Sequence, residues 1–309
     1  LVPEHFLGGE MKIYPEMAER ALEPLAQHLG FNLVETGKAI CDVLVANVGE
    51  AAKEISLYSG IDPSDYQLLV YGSAGPLFAS EVARELGVKG LIIPPFPGEM
   101  CAFGLVISDL RLDWGESVVK SLDSLSPEEL TGVYGRLESR VLEMFQRQGI
   151  APEDVVLSRY FDGRYFGQTW DTFSVPAPPG EVNATRVEQM KQNFHREHQR
   201  AWGYCLPTYL VKLIMARVSG TVARDKPRLP QIESGGESPQ DALLGEVKVY
   251  LVGGKPSSIP LYQRVRLRAG NRVRGPAIIQ QRTATTVLLP GDDALVDTYG
   301  NLRITWGQA

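Results

Sequence analysis

The sequence is short of cysteine, histidine and long apolar runs, and each shortage removes a class of protein. Cys41, Cys101 and Cys205 are widely spaced, with no Cys-x-x-Cys pair. That excludes a disulfide framework and a thiolate zinc site, and it fits a reducing compartment. Four histidines occur, none in His-Glu-x-x-His, so the helical zinc-hydrolase signature is missing. No apolar stretch reaches bilayer length and no secretory leader pattern is found, so the expectation is a cytoplasmic protein without membrane contact. Net charge is -6 with a pI near 5.4, which argues against a nucleic-acid surface. Basic residues do cluster at Arg264-Val265-Arg266-Leu267-Arg268 and Arg272-Val273-Arg274. Their alternation suits the solvated side of a strand.

What is present describes a folded chain with two domains. At 309 residues and 44% hydrophobic content, two cores can form. The most informative stretch is Val70-Tyr71-Gly72-Ser73-Ala74-Gly75-Pro76-Leu77-Phe78, where a strand over 67–71 breaks on small residues and passes into a helix over 77–86. Glycine lets a ligand approach the backbone, and free N–H groups at a helix start favour anions. Many strand-to-helix turns use Gly and Pro only to turn, so spacing alone does not separate a nucleotide cradle from a structural bend.

Before the turn, the spacing predicts helices over 15–29 and 36–59. On the second, Ile40, Val43, Leu44, Asn47, Ala51 and Ile55 share one face, expected to be buried. A buried Asn47 must find partners, either in a nucleotide cleft or in a neighbouring loop. A strand over 89–93, a stiff Pro94–Gly98 loop and a helix over 100–107 follow, with Cys101 read as a packed thiol. The pattern changes at residue 109. A first domain is expected over 1–109 and a mainly β second domain over 110–309, with strands over 110–119, 155–164, 168–175, 210–222 and 246–252 and two helices. Ser126-Pro127-Glu128-Glu129 marks the start of one helix and the other begins near Arg186.

Several segments in one order resemble the hydantoinase/oxoprolinase family, which includes ATP-dependent ketone carboxylases. They are Phe6-Leu7-Gly8-Gly9-Glu10-Met11, Ala46-Asn47, Tyr71 to Phe78, Pro94-Pro95-Phe96-Pro97-Gly98, Arg159 to Gln168, Gly275-Pro276-Ala277-Ile278-Ile279 and Thr285-Thr286-Val287. The resemblance implies an α/β fold, the second half of an actin-like ATPase domain followed by the β-rich domain. It implies ATP with Mg²⁺ as cofactors, and Gly72, Ser73, Ala74, Gly75 and Asn47 as nucleotide-side residues. Transfer of the terminal phosphoryl group needs further donors and a metal site, which the family supplies from Asp-x-Gly-Gly-Thr hairpins. This sequence has none; Asp113-Trp114-Gly115 is the nearest stretch. The implied partners are therefore an N-terminal ATPase half bearing those motifs, a hydantoinase B-like subunit and a small-molecule substrate, and the chain is not expected to act alone. Leu1-Val2-Pro3 lacks an initiating Met, so a fragment or a separately encoded subunit is expected.

Two constellations in the second domain could meet a substrate. Asp162 and Arg164 alternate onto one strand face, which suits either a salt bridge within the sheet or a guanidinium offered to an anion. His195 and His198 lie at i and i+3 on a helix, half of a metal set without a third ligand, so no metal is expected there and a structural or substrate-contacting role remains. Ser73, Phe78, Asp171, Trp202, Tyr209 and Lys212 depart from the family's usual residues. Two reactions belong to the family: ATP-driven opening of a cyclic amide, and ATP-driven carboxylation of a ketone. A non-catalytic assembly subunit is the reading from another class.

Overall fold

A computed structural model of the chain describes residues 2–58, 60–169, 172–251 and 256–307. Asp171, the end of the expected strand over 246–252 and the last residue of the helix expected over 36–59 lie outside the described residues. The described residues form two compact units, 1–106 together with 227–309, and 107–226.

The first unit opens with α1 (Pro15–Leu29) and α2 (Leu33–Tyr58). Helix α2 starts three residues before the expected Thr36, because Asn32 and Glu35 form a reciprocal cap: the Glu35 N–H donates to Asn32 Oδ1 at 2.9 Å and the Asn32 N–H to Glu35 Oε2 at 2.8 Å. Strand β1 (Leu68–Leu69) leads through the glycine-rich turn to α3 (Gly75–Leu86), and β2 (Leu91–Ile93) leads to α4 (Met100–Ile107). Gly87 caps α3 in the left-handed region, as a helix C-terminus favours.

The second unit is a two-layer sandwich. β3 (Leu110–Ser121), β4 (Val156–Tyr165), β5 (Phe173–Ala177) and β6 (Val211–Val222) form an antiparallel sheet in the order β3-β6-β4-β5. Helices α5 (Pro127–Gln146) and α6 (Ala184–Trp202) pack on it, and Leu130, Tyr134, Phe145, Phe161, Met190 and Phe194 are all fully buried between the layers. Each such side chain contributes roughly 1.5–3 kcal/mol by leaving water. The expected capping box at Ser126 and Glu129 is present. Gly163 is where close approach requires glycine, since a Cβ there would stand 2.9 Å from the Phe194 ring.

The chain then returns to the first unit. β7 (Leu243–Val249), β8 (Ser257–Gln263), β10 (Ala277–Gln280) and β11 (Thr285–Leu288) make one sheet, while β9 (Arg272–Arg274), β12 (Asp292–Val296) and β13 (Leu302–Trp306) extend the sheet begun by β1 and β2. The register Ile93 to Leu302, Ile92 to Arg303 and Leu91 to Ile304 joins β2 to β13 antiparallel. Residues 227–309 thus complete the sheet of the first 106 residues, in contrast to the expected division at 109. Strand pairing across about 200 residues of sequence leaves no local signal.

Three other expectations change. Arg264 is buried rather than solvated, and its guanidinium donates to the carbonyls of Ile93, Pro94 and Gly300. Burial pushes its pKa down to about 9. Cys101 is exposed, because no residue of α4 is buried. The α2 face carrying Asn47 is also exposed, and the Asn47 side chain makes no hydrogen bond among the described residues.

Candidate functional site

The glycine-rich turn sits at the meeting of three loops of the first unit. Gly72 adopts φ +87°, a region open to glycine at little cost, and its N–H donates to Pro97 O at 2.7 Å. That amide is therefore committed to holding the Pro94–Gly98 loop. Gly98 lies against Ser73 and Thr283: a Cβ on it would be 3.1 Å from Ser73 Oγ and 3.0 Å from Thr283 Oγ1. Gln281 Nε2 donates to Pro95 O at 3.2 Å, bringing the β10–β11 loop alongside. The same loop carries Arg282, which donates to Glu10 at 2.7 and 3.2 Å and lies beside Gly8. Segments around 6–10, 72–76, 94–98 and 281–284 are thus one neighbourhood, although they span nearly the whole sequence.

Within it, Ser73 and Ala74 are exposed and Ala74 forms the N-cap of α3. Pro76 stands at the second helical position, so it supplies no donor. The N–H groups of Ser73, Ala74 and Gly75 make no hydrogen bond among the described residues, leaving them free for an anionic or carbonyl group. Gly75 has a packing reason as well, since a Cβ on it would be 3.2 Å from Val70 Cγ1. Asn47 is not brought to this neighbourhood by any described contact. Thr283 and Gln281 are the residues that sequence reading missed; their proximity follows from β10–β11 pairing, and only the neighbouring Thr285-Thr286 motif hinted at it.

The second unit holds the other candidates. Asp162 bonds Arg217 of the adjacent strand at 2.7–2.8 Å, so its salt bridge lies within the sheet but across strands. Arg164 is turned elsewhere, toward Thr169 O at 3.5 Å. Arg159 is buried, with both oxygens of Glu138 at 2.7 and 2.9 Å and the Tyr134 ring 4.9 Å away. It ties β4 to α5 as a structural pin.

His195 and His198 share a cluster with Tyr165. The Leu206 N–H donates to Tyr165 Oη at 2.8 Å, and Tyr165 Oη lies 2.7 Å from His195 Nδ1. The hydroxyl thus accepts from Leu206 and shares a hydrogen bond with His195 Nδ1, whose direction follows the tautomer of the ring. Burial lowers the His195 pKa and favours the neutral ring. His198 is fully buried and its Nδ1 donates to Tyr204 O at 2.7 Å. No group of three or more metal-ligating side chains occurs among the described residues. Tyr165 was within the resemblance to the family, but its partnership with His195 needed the fold.

Residues 1–113 match the hydantoinase/oxoprolinase domain and residues 121–305 the hydantoinase/oxoprolinase C-terminal domain. The chain belongs to the hydantoinase/oxoprolinase family. Its relatives include an uncharacterized protein of Methanocaldococcus jannaschii, 29% identical over 97% of this chain and 42% of that protein. The acetone carboxylase beta subunit of Xanthobacter autotrophicus is 25% identical over 97% of this chain and 43% of its own length. Among solved structures, the ATP-dependent caprolactamase of Pseudomonas jessenii superposes with a TM-score of 0.79 at 22% identity, over 98% of this chain and 44% of that one. Nucleotide-free acetone carboxylase gives 0.72 at 23% identity, over 99% and 45%. These two likenesses show the fold. The chain spans less than half the length of the curated relatives it matches.

Proposed function

We propose that this chain is the C-terminal part of the ATP-using subunit of a hydantoinase/oxoprolinase-type complex, with ATP consumed to open a cyclic amide. The observation that carries the reading is the convergence of two family segments, 6–10 and 94–98, and the 281–284 loop on the exposed Ser73-Ala74 turn, at the start of a twelve-residue helix with free N–H groups. In this reading the first unit is the second half of an actin-like nucleotide fold, and Ser73, Ala74 and Gly75 receive the nucleoside side of ATP. When bound, ATP supplies a phosphoryl group that makes an amide oxygen a leaving group. Mg²⁺ and the terminal phosphate belong to the N-terminal half that carries the phosphate hairpins, and a hydantoinase B-like subunit completes the complex. Named relatives in the same family support the chemistry: caprolactamase subunit alpha and 5-oxoprolinase for cyclic amides. Asn47 stays a candidate only through contact with that other half. Asp162 and Arg164 are weaker substrate candidates than His195, because Asp162 is paired with Arg217 and Arg164 is turned to Thr169 O, while His195 Nε2 has no partner among the described residues.

Ala74 is the cleanest place to test this. It is exposed, with φ -91°, so Ala74→Glu strains nothing and sets a carboxylate where the nucleotide would lie. In the assembled complex, affinity for a non-hydrolysable ATP analogue should fall about tenfold or more by charge repulsion at the helix start. Unchanged affinity rejects the nucleotide site. Product analysis on the same complex, ring opening of a lactam against fixation of labelled bicarbonate, decides between amidase and carboxylase.

A further inference from the structure

The β10–β11 hairpin ends beside the glycine-rich turn on polar groups that the chain leaves without partners. Gly98 lies in a short 3-10 turn, Pro97–Glu99, without a positive φ, so its backbone does not call for glycine. Space does. Ser73 Oγ and Thr283 Oγ1 stand 3.1 and 3.0 Å from the one point that a Cβ on Gly98 would take, which brings two hydroxyls within reach of one small group over its Cα. Neither hydroxyl makes a hydrogen bond among the described residues, and Ser73 is exposed and Thr283 half-buried. One rung back from the tip, Gln280 is 5% exposed, its Oε1 is fully covered, and its carboxamide has no partner among the described residues. Alternation puts it on the sheet face of Ile278, against which Leu77 from the first turn of α3 packs. That face is aliphatic through Ile259, Leu261, Ile278 and Val287 and turns polar only at this last rung, Gln263, Gln280 and Thr285. A buried amide without a partner costs stability until something outside the chain completes it.

We infer that the β10–β11 hairpin is a second wall of the nucleotide site: Thr283 Oγ1 and Ser73 Oγ share one oxygen of the nucleotide over Gly98, and the Gln280 carboxamide, one rung back, is offered to the same ligand. The inference rests on the proposed function for the identity of that ligand. Two unpartnered hydroxyls beside the free N–H groups of Ser73, Ala74 and Gly75 make a set of donors for an electron-rich oxygen. The carboxylates at the rim, Glu10 and Glu99, face the guanidinium of Arg282 at the hairpin tip. A ribose hydroxyl and a phosphate oxygen both accept from Ser and Thr, so either part of the nucleotide fits this pair. The wall is also held in place before any ligand arrives. Pro97 O accepts from the Gly72 N–H at 2.7 Å and Pro95 O from Gln281 Nε2 at 3.2 Å, which fastens turn, loop and hairpin to one another. Binding then spends little on ordering these groups.

The test titrates a non-hydrolysable ATP analogue, and separately adenosine, into the assembled complex carrying Thr283→Val, Thr283→Ser or Gln280→Met. Thr283→Val keeps the shape and removes the hydroxyl, so affinity for the analogue should fall about tenfold. Thr283→Ser restores the hydroxyl and should bind like the unaltered chain. Adenosine assigns the oxygen: equal weakening places it on the ribose, and unchanged adenosine binding places it on a phosphate. Gln280→Met fills a similar volume without the amide, so the melting temperature should hold or rise while affinity falls. A purely structural amide gives the opposite pair, a lower melting temperature with affinity unchanged, and that result overturns the inference. So does unchanged analogue affinity in Thr283→Val, or equal loss in Thr283→Ser. Ala74→Glu in the same titration keeps the two readings apart. Nucleotide binding that responds to Ala74→Glu but not to Thr283 or Gln280 leaves the proposed function standing and rejects the second wall, whereas no binding to the unaltered complex rejects both.

Discussion

Helices α5 and α6 turn Leu130, Tyr134, Leu137, Phe145, Met190 and Phe194 onto a four-stranded sheet, whereas α1 and α2 bury Ala26, Thr36 and Gly49 and leave Met17, Leu29, Val43 and Leu44 in water. Both pairs of helices are amphipathic by sequence. The difference lies in what each finds to cover it. The second unit carries its own sheet, so the apolar stripes of its helices meet strands of the same unit, α5 lying on β3 and β6 and α6 on β5. The first unit spends its sheet on α3 and the C-terminal strands, and α2 packs on α3 and α1 while its Val43 and Leu44 side stays exposed. An apolar stripe in the sequence therefore does not by itself say what covers it.

The strongest way to break this comparison is to remove residues 227–309. Sandwich 107–226 has a closed core and all four strands of its own sheet, so it should keep a cooperative unfolding transition. The first unit should lose its structure, because β2 pairs with β13 and Leu91, Ile93, Ile279, Leu288 and Ile304 share one core. Hydrogen exchange would read this directly: amides of α3 and β2 exchange freely in the truncated chain while those of β4 and β6 stay protected. Protection persisting in α3 would mean that the first 106 residues fold alone.

Point substitutions sharpen the contrast. Phe194→Ala empties a fully buried site against Tyr165, Phe173 and Gly163 and should cost about 3–5 kcal/mol. Val43→Ala on the α2 stripe should change the stability of this chain alone by about 0.5 kcal/mol or less. Denaturant melts of the two variants give the numbers. A cost at Val43 approaching that at Phe194 would mean that the stripe is already covered.

What could be read from sequence follows the range of the interaction. Helices α1 and α4 and the Ser126 box were legible to the residue, because Pro, Gly and capping residues act over three or four positions. The start of α2 was missed for the same kind of cause, an Asn32-x-x-Glu35 cap overlooked in favour of the apolar period. Arg264 was misread because alternation is a local cue, while its partners, the carbonyls of Ile93, Pro94 and Gly300, come from two distant loops. The turn at Gly72 was legible as a candidate site. Its neighbours Pro97, Gly98, Gln281 and Thr283 came together only through parallel pairing of β10 with β8 and the β10–β11 hairpin.

The smallest expected effect concerns acid. Burial holds the His195 pKa below its ordinary value, so the unfolded chain binds this proton more readily than the folded one. In the window between the lowered and the ordinary value, the unfolded state carries more protons, and stability rises with pH. Acidification through the usual histidine range should therefore lower the melting temperature of the sandwich, and the group is too open for the shift to be large. The ring sits beside Tyr165 Oη, which is held by the Leu206 N–H and lies 2.7 Å from His195 Nδ1, and its burial there is the origin of the sign. His195→Gln should flatten this part of the melting profile between about pH 7 and pH 5. The exposed stripe on α2 carries no histidine, so hydrogen exchange in α2 should not follow the same slope. An unchanged profile in His195→Gln would assign the acid sensitivity to the carboxylates, whose loss belongs at lower pH, where Asp109 and Asp113 with their lowered values begin to protonate.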